Sequence, residues 1–291
     1  MKSLDDSFAH LASELADSPK AGKKPATVAN RPAIEQAPPS EQPAPAASRP
    51  VMVEETASER LADASGAGED GPVNPRLVCL LDPRSEHAES YYRLRYVLES
   101  RRDADSALVV GITSPTQGDG KTLTGINLAG ALAKDSRARV LLLDLDLRRQ
   151  GEGVPEYLGM NLDRNLGIVD WIREKDYGDE QFTHYLHRFN LHVMAAGSDP
   201  ELPYELLKSS RLDELIRRAR RRYDFVIIDT PQILRLPDTE LISRLVDGFV
   251  IVVKAEHTRQ GQLEEALNLM TEDKVLGIVF NAAPGKSQTV G

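Results

Sequence analysis

The fold of this chain is indicated first by the stretch Ser114-Pro-Thr-Gln-Gly-Asp-Gly-Lys-Thr122. It follows an apolar run, Ala107–Ile112, and precedes a helix-like run, Leu123–Ala133. A strand, a glycine-rich loop, Lys-Thr and a helix form the layout of a phosphate-binding P-loop. Gly118 and Gly120 allow backbone N–H groups to turn towards phosphate oxygens, beside the positive end of the helix dipole. The strict pattern has glycine at the second position, where this chain has proline. The stretch therefore predicts a phosphate site without identifying an enzyme class.

A second motif, Val140-Leu-Leu-Leu-Asp-Leu-Asp-Leu-Arg-Arg149, ends an apolar strand with two carboxylates. Alternation along the strand predicts that Asp144 and Asp146 lie on the same side. Neighbouring carboxylates repel each other unless a cation lies near them, and Mg²⁺ on a nucleotide is such a cation. The alternative is a solvated strand end in which Asp146 pairs with Arg148. The P-loop upstream favours the metal site.

A third motif, Tyr223-Asp-Phe-Val-Ile-Ile-Asp-Thr-Pro231, contains a carboxylate that closes a fully apolar strand. Asp229 occupies the place of a Walker B carboxylate and is predicted to hold Mg²⁺ directly or through water. The Thr122 hydroxyl is predicted to bind the same ion, while Lys121 reaches the β- and γ-phosphates. Asp229 also suits the N-cap of the next element, and the two roles are compatible.

Composition narrows the class of protein. The chain has 291 residues and a net charge of −9, which disfavours a general nucleic-acid binder. Its single cysteine, Cys79, excludes an intrachain disulfide, fits a reducing compartment and lies in an apolar stretch that predicts a buried thiol. No apolar run approaches the roughly 20 residues of a membrane helix, and the N-terminus has no signal-peptide core. We therefore expect a soluble, cytoplasmic protein.

The N-terminal quarter differs in composition from the rest. The first 75 residues hold 10 of the 18 prolines and one aromatic residue, Phe8. This composition predicts a disordered arm over residues 1–74. Leu4, Phe8, Leu11 and Leu15 recur at helical spacing and predict a short amphipathic helix near residues 3–17. This helix is either a docking element for a partner or a fraying chain end, because isolated helices this short are marginal in water.

Strand-like and helix-like segments alternate over residues 75–285, before a short tail at 286–291. This alternation predicts an α/β fold with a doubly wound, mostly parallel sheet, in which ligands bind at the carboxyl ends of the strands. The predicted strands are Ala107–Ile112, Val140–Leu143, Leu191–Met194, Phe225–Ile228, Phe249–Val253 and Val275–Phe280. The predicted helices are Ser85–Ser100, Thr122–Ala133, Leu166–Glu174, Tyr204–Arg222, Asp238–Leu245 and Arg259–Met270.

Taken together, the three motifs resemble those of the bacterial tyrosine kinases (BY-kinases) of polysaccharide export, within the MinD/ParA-like class of P-loop ATPases. The Asp-x-Asp-x-Arg element at Asp144–Arg148 is the distinctive one, and the resemblance extends over Asn74–Pro284. Further matching segments are Asp82-Pro83, Glu89–Arg95, Asn127–Ala129, Ala196-Gly197, Pro203–Leu207 and Gly277–Asn281.

The resemblance implies ATP and Mg²⁺ as cofactors. It implies nucleotide contacts from Thr116, Gln117, Gly118, Asp119, Gly120, Lys121, Thr122, Leu123 and Asn281. It assigns the metal to Thr122, Asp146 and Asp229, and catalysis to Lys121, Asp144, Asp146 and Arg148. In this assignment Asp144 activates the tyrosine hydroxyl or aligns it with the γ-phosphate. Arg148 either stabilises the transferring charge or forms a structural ion pair.

The resemblance also implies a partner. In family members without membrane helices, the cytoplasmic tail of a membrane-spanning polysaccharide copolymerase, or chain-length determinant, activates the kinase. We therefore expect the protein at the inner face of the cell membrane, held there through that partner. The family forms ring-shaped homo-oligomers through a Glu-x-x-Arg-x-x-Arg motif. Glu89 and Arg95 match this motif and Tyr92 does not, which leaves the oligomeric state open.

Three functions remain open at this stage. The first is a tyrosine kinase that acts on itself or on a substrate. The second is an ATP-hydrolysing regulatory switch of polysaccharide chain-length control without kinase activity, because the family's tyrosine-rich tail has no counterpart after the last tyrosine, Tyr223. The third is a MinD/ParA-like positioning ATPase, which Thr116 disfavours because it replaces the signature lysine of that group.

Overall fold

A computed structural model of the chain describes residues 71–149, 151–162, 166–174, 178–234 and 237–282. Most of the predicted arm, its helix near residues 3–17 and the tail at 286–291 lie outside the described residues. Within the described part, no helix is both long enough and apolar enough to cross a membrane.

The described residues form one sheet with helices on both faces. The strands are β1 (Leu108–Thr113), β2 (Val140–Asp144), β3 (His184–Leu186), β4 (Leu191–Met194), β5 (Phe225–Asp229), β6 (Gly248–Lys254) and β7 (Val275–Asn281). The α-helices are α1 (Val78–Leu81), α2 (Glu86–Arg101), α3 (Lys121–Leu132), α4 (Val154–Leu158), α5 (Ile168–Arg173), α6 (Pro203–Leu207), α7 (Ser210–Arg222), α8 (Asp238–Ser243) and α9 (Gln260–Asn268). Short 3₁₀ turns lie at Asp179–Phe182, His187–Phe189 and Glu272–Lys274.

The sheet confirms the predicted doubly wound α/β class. Its strand order is β3-β4-β2-β5-β1-β6-β7, and every pairing is parallel except that of β3 with β4. All residues of β1, β2 and β5 are buried, because helices cover both faces of the central strands. The P-loop connects β1 at the centre of the sheet to α3, so it lies at the carboxyl edge where ligands bind in such folds.

Each face of the sheet has its own apolar core. On one face, alternate strand residues such as Val110 and Leu142 pack with Ile126 and Leu128 of α3. On the other face, the intervening strand residues pack with helices α5 and α7 around Trp171. Successive strand residues point to opposite faces, and both faces are buried. The strands are therefore continuous apolar runs in the sequence.

Two details of the predicted elements are wrong. The helix expected over Tyr204–Arg222 is two helices, α6 and α7, because the Ser209 side chain accepts a hydrogen bond from Arg211 N and starts a new helix. Strand β3 and helices α1 and α4 were not predicted at all. All three are short, with three, four and five residues, so none carries a long apolar period.

Residues 71–79 contact the P-loop helix α3 and helix α4. Gly71 N and Asn74 N donate hydrogen bonds to the carbonyl oxygens of Gly159 and Tyr157. Cys79 is fully buried, as predicted, and burial raises the pKa of its thiol to about 12. This thiol is therefore protonated at neutral pH, as expected of a structural cysteine.

Strand register brings the polar strand ends together. Asp144 at the end of β2 pairs with Asp229 at the end of β5, and Ile112 of β1 also pairs with Asp229. The two carboxylates are thus neighbours across adjacent parallel strands, and β5, which carries Asp229, lies next to β1, the strand that leads into the P-loop. The strand order therefore brings Asp144 and Asp229, which are 85 residues apart in the sequence, into a single site.

Close packing in the centre of the sheet gives a testable difference between two strand glycines. A Cβ added at Gly111 would lie 2.5 Å from ring carbons of Phe249, whereas a Cβ at Gly277 on the edge strand β7 meets no atom within 4 Å. We expect Gly111→Ala to lower the free energy of unfolding by about 1–3 kcal/mol, because the buried ring has to move. Gly277→Ala is the matched control and should change it by less than about 0.5 kcal/mol. Urea unfolding measures both, and equal effects would contradict the packing argument.

Candidate active site

The P-loop backbone depends on two glycines with positive φ. Gly118 has φ +87° and Gly120 has φ +93°, a region that favours glycine. A Cβ at Gly120 would clash with Asn281 Nδ2. That amide donates a 2.9 Å hydrogen bond to the Asp119 carbonyl oxygen. Asn281, predicted to contact the nucleotide, therefore also holds the loop in shape from the end of β7.

The side chain of Asp119 points into the protein. Its carboxylate is fully buried and accepts hydrogen bonds from Thr116 N and Thr116 Oγ1, at 2.9 and 3.0 Å. It also accepts one from Thr258 Oγ1 at 2.7 Å. Asp119 and Thr116, predicted as nucleotide contacts, thus direct their side chains to each other and stabilise the loop. Sequence reasoning missed Thr258, which lies 139 residues away and belongs to no motif.

The five central residues of the predicted site converge. Lys121 Nζ lies 2.5 Å from Asp146 Oδ2, and Thr122 Oγ1 donates a 2.7 Å hydrogen bond to Asp229 Oδ2. Asp146 N donates to Asp144 Oδ1 at 3.2 Å, which ties the two carboxylates of the second motif together. Asp144 and Asp229 are fully buried, and Asp146 is 6% exposed.

Two consecutive arginines have different partners. Arg148, predicted as catalytic, forms a bidentate ion pair with the buried carboxylate of Asp238 at the start of α8, at 2.7 and 3.2 Å. It does not pair with Asp146, which was the alternative considered from the sequence. Arg149, which sequence reasoning did not assign, contacts Asp144 at 2.5 Å and Asp229 at 3.4 Å. Nothing in the sequence pattern indicated that Arg148 and Arg149 would pair with different carboxylates.

The buried charges shift one another's pKa values. Burial raises the pKa of Asp229 to about 6, an effect that Lys121 opposes and Asp144 strengthens. Burial also raises the pKa of Asp144, although Arg149 works against it. Burial alone would lower the pKa of Lys121, but Asp229 and Asp146 hold it above the ordinary value of 10.5. Perturbed carboxyls grouped beside a phosphate-binding loop are typical of functional sites.

The donor set fits Mg²⁺. Asp229 Oδ1 is buried and has no hydrogen-bond partner within the described part of the chain, which leaves one carboxylate oxygen available. Thr122 and Asp146 add oxygen donors beside it. The described residues contain no cluster of three or more His, Cys, Asp or Glu side chains that would hold a metal by themselves. Mg²⁺ typically needs only one or two carboxylates, with phosphates and waters completing its shell.

A cleft of about 870 Å³ opens over these residues. Seven of the predicted nucleotide contacts line it: Gln117, Gly118, Gly120, Lys121, Thr122, Leu123 and Asn281. Residues that sequence reasoning did not assign complete the wall, namely Arg76, Arg149, Glu152, Tyr157, Gln232, Lys254 and Ala282. The volume and the charged floor suit a ligand of nucleotide size.

Comparison with known proteins decides the family. A protein-family model described as an AAA domain matches residues 108–275. The tyrosine-protein kinase YwqD of Bacillus subtilis is 30% identical over 207 residues, which cover 70% of this chain and 85% of that protein. The chain belongs to the BY-kinase family. The family predicted from the three motifs is therefore confirmed.

Solved BY-kinase structures share the fold. The kinase domain of the Escherichia coli tyrosine kinase ETK has a TM-score of 0.67 and 22% identity, with 78% of this chain and 86% of that chain covered. The chimerical protein CapA2B2 has a TM-score of 0.65 and 26% identity, with 79% and 99% covered.

The raised pKa of Asp229 gives a prediction for the nucleotide-free protein. A carboxyl whose pKa rises from 3.8 to about 6 binds a proton more tightly when folded, so stability falls as pH rises from about 4 to 6. The penalty persists above pH 6. We expect Asp229→Asn to raise the free energy of unfolding by up to about 3 kcal/mol at pH 8 without metal, and by little at pH 4.

Asp224 provides the opposite control. Burial would raise its pKa, but hydrogen bonds from Arg139 hold the pKa below 3.8. Asp224→Asn should therefore destabilise the protein at pH 8 and have little effect near pH 2. Denaturant unfolding across this pH range tests both variants. If the wild-type protein and Asp229→Asn were equally stable at pH 8, burial of the charged Asp229 carboxylate would not be destabilising, and the raised pKa would be contradicted.

Proposed function

We propose that this BY-kinase binds ATP and Mg²⁺ in the cleft and transfers the γ-phosphate to a tyrosine hydroxyl, on itself or on another protein. The observation that carries the proposal is the convergence of Lys121, Thr122 and three buried carboxylates at the P-loop. Phosphoryl transfer depends mainly on positioning and charge neutralisation, which this set of groups supplies. Family membership supports the same reaction.

Each residue has a role in this proposal. Lys121 leaves Asp146 and binds the β- and γ-phosphates, while Thr122, Asp146 and Asp229 hold the metal. When bound, Mg²⁺ neutralises charge that develops on the transferred group. The tyrosine oxygen bonds to phosphorus as ADP leaves, and Asp144 accepts or directs the phenolic proton. The backbone of residues 116–123 and the Asn281 side chain complete the nucleotide site.

The acceptor tyrosine can lie on this chain or on a substrate. Among the tyrosines that the structure describes, Tyr96 on α2 is 73% exposed and Tyr204 on α6 is 40% exposed. The other described tyrosines are buried or half-buried, and their hydroxyls would be harder to reach. Tyr96 and Tyr204 are therefore the candidate acceptors within the described residues.

Incubation with γ-labelled ATP and Mg²⁺, with phosphotyrosine detected by mass spectrometry, tests the proposal. We expect Lys121→Met to reduce phosphotyrosine formation by about 10²–10³-fold, the typical loss when one preorganised charge donor is removed. Lys134→Met is the matched control, because Lys134 is exposed just beyond α3. Phosphate release without phosphotyrosine would contradict the kinase proposal and favour the ATP-driven switch. Equal activity of the two variants would contradict the site.

The proposed partner is a membrane-spanning polysaccharide copolymerase whose cytoplasmic tail activates the kinase at the inner membrane face. This proposal rests on the family resemblance and on the amphipathic pattern near residues 3–17. Deletion of residues 1–70 should abolish membrane recruitment in cells that produce the copolymerase.

A pair of single variants locates the contact. Leu11→Glu places a charge within the apolar stripe and should weaken recruitment. Ser13→Glu places the same charge on the opposite side of the predicted helix and should not. Membrane fractionation measures both variants. Full recruitment of the protein that lacks residues 1–70 would refute a docking role for the arm.

A further inference from the structure

Arg149 occupies the space between the carboxylates of the second and third motifs. Its side chain is 14% exposed, and the guanidinium contacts Asp144 at 2.5 Å and Asp229 at 3.4 Å. The guanidinium packs closely against Gly153, where an added Cβ would lie 2.6 Å from Arg149 Cζ and would displace the arginine. The fold thus keeps a space for this guanidinium against the backbone of the α4 N-terminus.

The charges at the site do not balance without a further cation. Asp144, Asp146 and Asp229 supply three buried carboxylates, and their cationic partners in direct contact are Lys121 and Arg149. One negative charge remains, and Asp229 Oδ1 has no partner within the described residues. A divalent cation would compensate this charge, but Arg149 already contacts the other oxygen of Asp229. The arginine and the metal would therefore place two positive charges on the two oxygens of one carboxylate, where they repel each other.

We propose that Arg149 is the internal counter-ion of the metal site. In the nucleotide-free chain it neutralises Asp144 and Asp229, and it withdraws from Asp229 when a divalent cation binds there. The longer contact, to Asp229, is the one that opens, and the shorter contact to Asp144 is kept. This inference rests on the proposed function, because the divalent cation is the one that accompanies the nucleotide.

The arrangement makes metal binding depend on nucleotide. Without nucleotide, Lys121 and Arg149 cover the carboxylates and weaken binding of a free cation by charge repulsion. When phosphates attract Lys121, Asp146 loses its partner and the site gains a full negative charge. A divalent cation then binds with the ligand and not before it.

Mn²⁺ binding to the full-length, nucleotide-free protein, followed by electron paramagnetic resonance, tests the inference. We expect Arg149→Gln to bind Mn²⁺ at least about tenfold more tightly than wild type, because one nearby positive charge is removed. Arg149→Lys keeps the charge and should bind Mn²⁺ as weakly as wild type. Arg137→Gln is the control for net charge, since Arg137 is 91% exposed and remote from the carboxylates. It should also behave as wild type.

Thermal unfolding in EDTA is the second measurement. Arg149→Gln should lower the Tm, and Mg²⁺ alone should restore part of the loss, whereas Mg²⁺ should shift the wild-type Tm little. Adding Asp144→Asn to Arg149→Gln leaves two carboxylates beside one cation and should raise the Tm in EDTA again. If Arg149→Gln fails to fold in EDTA, folding of this double variant supports the inference and its failure to fold overturns it.

The inference is overturned if Arg149→Gln binds Mn²⁺ no more tightly than wild type, or if its Tm in EDTA is unchanged. Failure of the proposed function has a different signature, namely a wild-type protein that does not bind ATP in the presence of Mg²⁺. The Mn²⁺ comparison uses no nucleotide, so it decides the role of Arg149 in either case.

Discussion

Three carboxylates buried at one edge of the sheet are the constraint on which the site depends. Asp144 and Asp229 are neighbours because their strands pair in register, and both are removed from water. Burial of unpaired charge is costly, so the chain has to supply cations within contact distance. Lys121 and Arg149 supply two cations for the three carboxylates, and both come from segments that the strand order places at the same edge. The strand order that brings the carboxylates together thus also brings the cations that pair with them.

The P-loop keeps its shape through groups that are distant in sequence. The Asp119 carboxylate joins Thr116 within the loop to Thr258 after β6, and Asn281 at the end of β7 bonds the loop backbone. Buried carboxylates with three donors are well satisfied, so this network stabilises one loop conformation. Substitution of Thr258 would leave a buried oxygen unpaired beside the phosphate-binding backbone. The turn after β6 therefore contributes to the nucleotide site without belonging to any recognisable motif, whereas Asn281 at the end of β7 belongs to a segment that matches the family.

Sequence reasoning predicted the parts of the fold that follow from local pattern. The central strands were found because helices cover both their faces and leave them apolar throughout, and the P-loop was found through its glycines. The short strand β3 and the helix break at Ser209 were missed, since three residues carry no usable period and a single cap interrupts a continuous helical pattern. The converging residues Lys121, Thr122 and Asp229 were predicted because strand ends meet at one edge.

The direction of individual side chains was not predictable in the same way. Asp119 lies between two glycines that face the cleft, yet it turns inward because Thr258 provides a donor from 139 residues away. Arg148 and Arg149 follow the last residue of β2 in a turn, where the alternation of the strand no longer applies. Arg148 pairs with Asp238 of α8, whereas Arg149 pairs with Asp144 and Asp229 at the ends of β2 and β5, so tertiary packing determines both contacts.

Arg148 and Arg149 have different partners, and this difference affects how a ligand can enter the site. Arg148 is fixed by two hydrogen bonds to Asp238, so it joins the turn after β2 to α8 and is not free to follow the ligand. A phosphate can replace Asp146 as the partner of Lys121, and a divalent cation can take the place of Arg149 at Asp229. Breaking the contact between Lys121 and Asp146 exposes a buried charge, which is unfavourable unless phosphate oxygens receive the lysine while a cation receives the carboxylate. In the function proposed above, nucleotide and metal would therefore bind together, and the ion pairs that stabilise the nucleotide-free site would impose that coupling.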